Sequence, residues 1–171
     1  MTRHAILFAV IGFTGSAFAE ATADRSGAVQ EATDRALVLA AVQTFLDVIG
    51  TRDVEAAKRV MLPDGRLVSS RDEDGKPTVR MQSHQEFFDS LPKGQAKNLE
   101  RMWNPDVRIH GAIATVSTPY DFHRDGKFSH CGTDVFNLVK TPEGWRIAGA
   151  MWTIQRTGCA PSPLGPPKLE S

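Results

Sequence analysis

The chain has 171 residues, with 20 basic and 20 acidic side chains and a formal net charge of zero. No segment concentrates lysine and arginine, so the composition gives no electrostatic support for a nucleic-acid partner. The length and the 41% content of hydrophobic residues suit one domain of ordinary size.

The first 19 residues have the pattern of a cleaved secretory signal. A short basic start precedes the apolar stretch Ala5–Phe13, and the small-residue site Ala17-Phe18-Ala19 follows. This stretch is shorter than the roughly 20 apolar residues that span a bilayer. We therefore predict a signal peptide over residues 1–19 and a periplasmic or secreted mature protein beginning near Glu20. It would have no membrane association after cleavage.

The remaining chain divides into three segments by composition. Residues 20–32 are small, polar and aperiodic, which predicts a flexible lead-in. Residues 33–159 carry the periodic patterns of a folded domain. Residues 160–171 hold several prolines and little that can pack, which predicts a tail that is disordered or bound to the surface.

Three helices are predicted in the first half of the domain. The first should begin with Thr33 or Asp34 as its cap and end at Gly50, because apolar residues recur between them at spacings of three and four. The second covers Val54–Val60, with Asp53 as a candidate N-cap. The third should begin after Ser83, which stands three residues before Glu86 in capping-box spacing.

The second half of the domain is predicted to be a sheet. Leu67–Ser70 and Thr78–Met81 form a weak hairpin between the helices. Later, long alternating strands are joined by turns at Asp125-Gly126 and at Thr141–Gly144, whose residue types suit tight reversals. Together these elements predict an α+β fold, in which about three N-terminal helices pack on the concave face of a curved antiparallel sheet.

Three stretches of sequence carry a resemblance to a known superfamily. They are Val107–Val116, Ser129–Phe136 and Gly144–Ile147. With the order of elements over residues 33–159, they resemble the nuclear-transport-factor-2-like (NTF2-like) superfamily, the cone-shaped group that includes ketosteroid isomerase and the SnoaL-like proteins. The chain is most similar to its small exported members. The resemblance implies a cone-shaped fold with a pocket, and it implies no particular reaction.

The two turns also predict which side chains share a face. If Arg124 lies opposite Lys127 and Thr141 lies opposite Gly144, the alternation of side chains places a cluster of polar residues and a group of apolar residues on the same face of the sheet. Candidate catalytic residues are His130, Asp134 and Asp121. Candidate ligand-binding residues are Ser117, Met151, Thr153, Phe136 and Trp145. The opposite face would carry an apolar row formed by Val116, Tyr120, Phe122, Val135, Val139, Trp152 and Ile154.

The polar cluster has two interpretations. A carboxylate beside His130 could make an acid–base pair, because histidine titrates near neutral pH. Alternatively, these groups satisfy one another or backbone groups inside a polar core. A ketosteroid isomerase would also need a tyrosine facing the carboxylate base. Since Tyr120 is predicted on the face away from His130, that arrangement is not expected.

Three functions follow as hypotheses. The first is an exported pocket protein that binds a small, largely apolar ligand. The second is a lyase, isomerase or hydrolase that uses His130 and a carboxylate, and the third is a protein-interaction module on the outer sheet face. Whether the protein is an enzyme stays open.

We expect no metal and no cofactor, and we expect a homodimer formed through the apolar row. Cys131 and Cys159 could form a disulfide in an exported protein, and the sequence leaves their pairing open.

Overall fold

A computed structural model describes residues 16–73 and 75–167. Residues 1–15 of the predicted signal peptide and residues 168–171 of the predicted tail lie outside the described residues. Among the helices that are described, none combines the length and the apolar character needed to cross a bilayer.

Among the described elements, a hairpin of two strands lies between the second and third helices, and five further strands follow. In chain order the elements are α1 (Ser16–Thr51), α2 (Val54–Val60), β1 (Met61–Glu73), β2 (Lys76–Ser83), α3 (His84–Ser90), a 3-10 turn (Leu91–Lys93), β3 (Asn98–Met102), β4 (Asp106–His110), β5 (Ile113–Arg124), β6 (Lys127–Thr141) and β7 (Gly144–Ile154).

The chain divides into two compact units between Thr33 and Asp34. In the first unit, residues 16–33 are helical and residues 27–33 are exposed. The structure therefore differs from the flexible lead-in predicted over residues 20–32. Alanine recurs in this segment, and its high intrinsic helix propensity favours a helix here.

In the second unit, the rest of α1 buries Val38, Val42, Phe45 and Leu46 in the core. The helix ends at Thr51, one residue beyond the predicted Gly50, and Arg52 follows with a φ of 61°. The helix also starts well before Thr33, so neither Thr33 nor Asp34 caps it.

Both other predicted helix caps are confirmed. The Asp53 carboxylate accepts a hydrogen bond from the Ala56 backbone N–H, at 2.9 Å. At α3, the Ser83 side chain and the Glu86 side chain form the reciprocal capping box.

The sheet has seven strands in the order β2-β1-β7-β6-β5-β3, with β4 also paired to β5. The predicted hairpin of residues 67–70 with 78–81 is present and longer, as β1 and β2. The α+β fold with three helices and a curved sheet is confirmed. The sheet is mixed rather than wholly antiparallel, because β1 pairs in parallel with β7.

Two bulges change which side chains share a face. The Asp125-Gly126 turn forms as predicted, with a φ of 52° at Asp125 and 75° at Gly126. However, the register of β5 with β6 shifts at Ser129, and that of β6 with β7 shifts at Ala148. Each bulge adds one residue to one strand, so the residues beyond it exchange faces.

We call the sheet face that packs against the helices the inner face. It includes Val116, Phe136 and Leu138, and Phe136 contacts Phe45 of α1 edge-to-face, with ring centroids 5.5 Å apart. The opposite side is the outer face, which includes Ser117, Val135 and Met151.

Candidate functional site

A cavity of about 710 Å³ lies between the inner face and the helices. About half of its lining residues are aromatic or aliphatic, and the others are polar or charged. The apolar lining residues are Phe45, Ile49, Leu67, Met81, Phe87, Phe122, Phe136, Ala150, Trp152 and Ile154. This size and lining are typical of sites that bind small organic molecules.

The most unusual polar group in the cavity is a pair of carboxyl side chains. Asp134 of β6 and Glu100 of β3 both line the cavity and interact directly with each other. Burial raises the pKa of Asp134 to about 7. Burial, and then the neighbouring Asp134, raise the pKa of Glu100 well above its usual range. Two carboxyls this close do not both ionise at neutral pH, so the pair holds a proton.

The pair also presents an unused hydrogen-bonding atom. Asp134 is 3% exposed, and its Oδ2 has no hydrogen-bond partner in the described structure. Asn98 also lines the cavity, and its buried Oδ1 likewise has no partner there. Because a buried polar atom without a partner is costly, both atoms favour a ligand that can hydrogen-bond to them.

Tyr120 lies next to the carboxyl pair on the inner face, which corrects its predicted position on the opposite face. Burial, and then the charges of Glu100 and Asp134, raise the pKa of its hydroxyl. The hydroxyl donates a hydrogen bond to the Thr153 carbonyl, at 2.7 Å. Its proton is therefore used by the backbone, although its oxygen can still accept a hydrogen bond.

Gly132 makes room for that tyrosine ring. A Cβ at Gly132 would stand 2.0 Å from the Thr153 carbonyl oxygen and 2.7 Å from a ring carbon of Tyr120. Only glycine allows both neighbours to approach this closely.

His130 lines the cavity, as Asp134 does, but the two are not a pair. They are four residues apart in one strand, which is roughly 13 Å, and Gly132 lies between them. His130 stacks on Phe122, with ring centroids 4.7 Å apart, and Ser129 Oγ lies 3.0 Å from its Nδ1. Burial, and then the charge of Arg156, lower the pKa of His130. The structure therefore does not bring His130 next to Asp134, one of the two carboxylates that the acid–base hypothesis named.

Four predicted site residues lie on the outer face instead. The bulge at Ser129 moves Asp121 and Ser117 away from His130, since Phe122 now faces His130 and Thr118 faces Asp134. The bulge at Ala148 moves Met151 and Thr153 in the same way, so that Trp152 faces Asp134.

Asp121 belongs to a buried ion cluster on the outer face. Arg101 Nε donates to Asp121 Oδ1 at 2.9 Å, and His123 Nε2 lies 3.4 Å from the same oxygen. Although burial opposes it, the Arg101 guanidinium lowers the pKa of Asp121. A firmly ionised, paired carboxylate explains the position of Asp121 without any catalytic role.

The C-terminal segment reaches this same cluster. Arg101 Nη2 donates to the Gly165 carbonyl at 2.9 Å, and Ser162 hydrogen-bonds to Asp121. The described C-terminal segment, residues 160–167, is therefore attached to the outer face, which is one of the two states predicted for this tail. Hydrogen bonds to the side chains of Arg101 and Asp121 hold this segment on the sheet.

A disulfide joins Cys131 to Cys159, so the pairing that the sequence left open is present. Cys159 lies beyond the end of β7, and its Cα is 6.1 Å from that of Cys131, within the usual range for a disulfide. The bond ties the start of the C-terminal segment to β6.

Of the other predicted ligand-binding residues, Phe136 lines the cavity and Trp145 does not. Trp145 is buried, and its Nε1 donates to Asp34 Oδ1 at 3.0 Å. Lys140 Nζ donates to the same oxygen at 2.7 Å. These contacts fix α1 to the end of β6 and β7 that lies away from the cavity, which gives Trp145 a structural role.

Five of the seven residues in the apolar row that motivated a homodimer lie on the inner face, while Val135 and Val139 lie on the outer face. Val116 and Tyr120 are buried on the inner face, while Phe122, Trp152 and Ile154 line the cavity. Most residues of this row are therefore covered by the helices or face the cavity. The same finding removes the basis for an interaction module built on Trp152 and Tyr120.

Within the described residues, no three His, Cys, Asp or Glu side chains converge in a way that could hold a metal ion.

The comparisons with known proteins agree with this architecture. Residues 33–153, well over half of the chain, match the family described as "Putative lumazine-binding". The chain belongs to this family. No curated protein is significantly similar to it in sequence.

Solved structures show the same NTF2-like fold at low sequence identity. An NTF2-like protein with a cystatin-like fold from Novosphingobium aromaticivorans is 17% identical, with a TM-score of 0.62, and the match covers 81% of this chain and 92% of that one. An NTF2-like superfamily protein from Salmonella enterica is 13% identical, with a TM-score of 0.58 and coverages of 76% and 96%. A third structure, from Streptomyces avermitilis, is described as a "putative dehydratase" and is 17% identical, with a TM-score of 0.56 and coverages of 72% and 97%.

Glu100 is the site residue that sequence reasoning missed. A strand beginning at Asn98 is predictable, and alternation places Asn98 and Glu100 on one face. No tight turn joins that strand directly to β5, however, so its register could not be counted. The only feature of the sequence that could have pointed to Glu100 was the presence of an acidic residue within a short predicted strand.

Proposed function

We propose that the family member described here is an exported protein that binds a small, largely apolar ligand in the inner-face cavity. The observation that carries this proposal is the cavity itself, which combines aromatic walls with one buried carboxyl pair. The walls would bury the body of the ligand. The pair would fix its orientation, because Asp134 Oδ2, which the hydrogen bond within the pair leaves without a partner, can accept a hydrogen bond from the ligand.

A flat ring system with hydrogen-bonding groups along one edge suits these contacts best. Phe122, Phe136 and Trp152 offer ring faces and edges, against which another aromatic ring packs favourably. Lumazine, the compound in the family's description, is such a molecule, with N–H and C=O groups on a fused ring. The family match therefore supports the same class of ligand.

The proposal is tested by filling the cavity. Ser69 is buried, lines the cavity and lies opposite Trp152, so Ser69→Phe would occupy space that a ligand needs. We expect the neutral fluorescent probe N-phenyl-1-naphthylamine to bind the wild type and to bind Ser69→Phe at least tenfold more weakly. The matched control is Thr133→Phe on the exposed outer face, which should bind as the wild type does. Equal binding by all three proteins would contradict the proposal.

A second candidate function is acid–base catalysis by the carboxyl pair, in place of the His130 pair that the structure does not form. A carboxyl with a pKa of about 7 can both take up and release a proton near neutral pH. The dehydratase description of the Streptomyces structure belongs to the same class of chemistry.

This candidate predicts proton exchange. The compound extracted from the purified protein, incubated with wild-type protein in D₂O, should gain deuterium at a C–H position, as mass spectrometry would show. Asp134→Asn should remove that exchange. If the wild-type protein causes no deuterium exchange, the catalytic candidate is contradicted and ligand binding remains the proposed function.

Export is part of the proposal. It is supported by the signal-like pattern of residues 1–19 and by the Cys131–Cys159 disulfide, since disulfides persist mainly in oxidising compartments. Cleavage after Ala19 would also remove the first residues of α1, so that the helix would begin near Glu20.

N-terminal sequencing of protein expressed from its full gene checks the proposed export. We expect a mature chain that starts at Glu20 in the periplasmic or extracellular fraction. A cytosolic chain that starts at Met1 would contradict it.

A further inference from the structure

Asp134 belongs to a row of side chains that crosses the inner face of the sheet. On β6, Asp134 lies opposite Trp152 of β7, and Trp152 lies opposite Ser69 of β1. All three residues line the cavity. Neighbouring strands are about 4.8 Å apart, so two strand spacings, roughly 10 Å along the sheet, separate Ser69 from Asp134. The row therefore places one polar side chain on each side of a large aromatic one.

The wall between the two polar side chains is apolar. Ala150 and Ile154 flank the tryptophan along β7 and also line the cavity, because alternate residues of a strand share a face. Beyond Ser69 the row continues to Arg80 of β2, which is exposed, whereas Ser69 is buried. Ser69 and Asp134 are therefore the buried polar ends of an apolar strip, whose width suits a fused two-ring molecule.

At one end of this strip, a carboxyl oxygen lacks a donor. Asp134 has a hydrogen bond with Glu100, but its Oδ2 is buried without a partner among the described residues. Two hydroxyls of β5 on the same face, those of Thr118 and Tyr120, already donate to backbone carbonyls, at 2.9 and 2.7 Å. Because a buried acceptor without a donor is costly, this oxygen is suited to an N–H group of a ligand.

The other end of the strip is less selective. The Ser69 hydroxyl can both donate and accept a hydrogen bond, so it suits a hydroxyl, an amine or a carbonyl equally. The carboxylate of Asp134, by contrast, can only accept. This difference between the two ends gives a bound molecule one preferred orientation.

We infer that the ligand is a planar fused-ring molecule that lies across Trp152, with an N–H group that donates to Asp134 Oδ2 and a second polar group, at its opposite end, that hydrogen-bonds to Ser69 Oγ. This inference rests on the proposed binding function and adds to it the two contacts that select the ligand. Trp152 and its apolar neighbours on β7 bury the rings between them.

Three probes that differ by one group each test the inference. 6-Hydroxy-2-quinolinone has an N–H group and a hydroxyl at opposite ends of a fused ring. 6-Hydroxy-1-methyl-2-quinolinone lacks the N–H, and 2-quinolinone lacks the hydroxyl. Their dissociation constants are measured by calorimetry at pH 8, above the pKa of Asp134, so that its carboxyl is ionised.

The proteins compared are the wild type, Asp134→Leu, Ser69→Ala and Ser70→Ala. Leucine resembles aspartate in shape and accepts no hydrogen bond. Ser70→Ala is the matched control, because Ser70 is the next residue of β1 and does not line the cavity.

Each contact is measured by a ratio of dissociation constants. In the wild type, N-methylation should weaken binding by about tenfold or more, and loss of the hydroxyl should weaken it by about three- to tenfold. Asp134→Leu should reduce the first ratio by at least fivefold and leave the second within twofold. Ser69→Ala should bring the second ratio close to one and leave the first within twofold. Ser70→Ala should leave both unchanged.

The probe that lacks a contact also reports on folding. The N-methyl probe should bind Asp134→Leu, and 2-quinolinone should bind Ser69→Ala, within about threefold of their affinities for the wild type. A folded Asp134→Leu protein that keeps the wild-type effect of N-methylation, or a folded Ser69→Ala protein that keeps the wild-type effect of the hydroxyl, would overturn the inference.

N-Phenyl-1-naphthylamine separates failure of the inference from failure of the proposed function. If this probe binds the wild type and none of the quinolinones does, the inference is overturned and the binding function stands. If no probe binds the wild type, both fall together.

Discussion

At the residue scale, the raised pKa of Asp134 has a consequence for stability. The folded protein holds a proton at this site up to a pH of about 7, whereas an unfolded aspartate loses it near its ordinary pKa of 3.8. Between these values the folded state binds more protons, so stability falls as the pH rises through this range. At higher pH the folded protein bears the full cost of a buried charge.

We therefore predict that the stability of the Asp134→Asn protein depends less on pH than that of the wild type. The wild type should lose on the order of 2–4 kcal/mol of unfolding free energy through this group between pH 4 and pH 8, and the variant should lose markedly less. Urea denaturation at a series of pH values measures both. Parallel curves for the two proteins would show that Asp134 is not protonated in the folded state.

Gly132 is a second residue on which the geometry of the site depends. Gly132→Ala should destabilise the protein by roughly 1–3 kcal/mol, because the new Cβ would collide with the Thr153 carbonyl and the Tyr120 ring. Gly27→Ala is the control, since Gly27 lies in the exposed part of α1 with nothing within 4 Å of an added Cβ. Thermal unfolding compares them, and a Gly132→Ala protein as stable as the wild type would contradict the close packing around Tyr120.

At the scale of elements, the disulfide connects β6 to the segment that follows β7. Replacing both Cys131 and Cys159 by serine should lower the unfolding free energy by about 2–4 kcal/mol. Without the disulfide, the unfolded chain regains the conformational freedom that closure of the loop had removed. The residues that bind Arg101 and Asp121 should also become sensitive to protease, since their tether is lost. Denaturant unfolding and limited proteolysis test this. An unchanged midpoint together with an intact C-terminal segment would mean that the bond contributes nothing.

The same scale shows what the sequence could predict. The helix caps at Asp53 and Ser83 and the turn at Asp125-Gly126 were predictable, because each depends on residues within a few positions of one another. The bulges at Ser129 and Ala148 were not. Each adds a residue whose type carries no bulge signal, and cross-strand packing decides where it goes. Each one-residue shift moved the predicted residues beyond it to the other face.

At the scale of the whole molecule, the site depends on contacts that no local pattern encodes. Glu100 and Asp134 lie on strands that β5 separates, so their meeting requires the complete sheet. The fold class and the existence of a pocket follow from the order of elements. Which polar residues meet inside the pocket follows only from the register of the strands.

Native mass spectrometry of the purified full-length protein tests most directly whether this cavity holds a small molecule. We predict that the wild type and Thr133→Phe carry a bound compound of one defined mass, which Ser69→Phe lacks. A wild-type protein that carries no compound, or a Ser69→Phe protein that carries the same compound to the same extent, would contradict the claim.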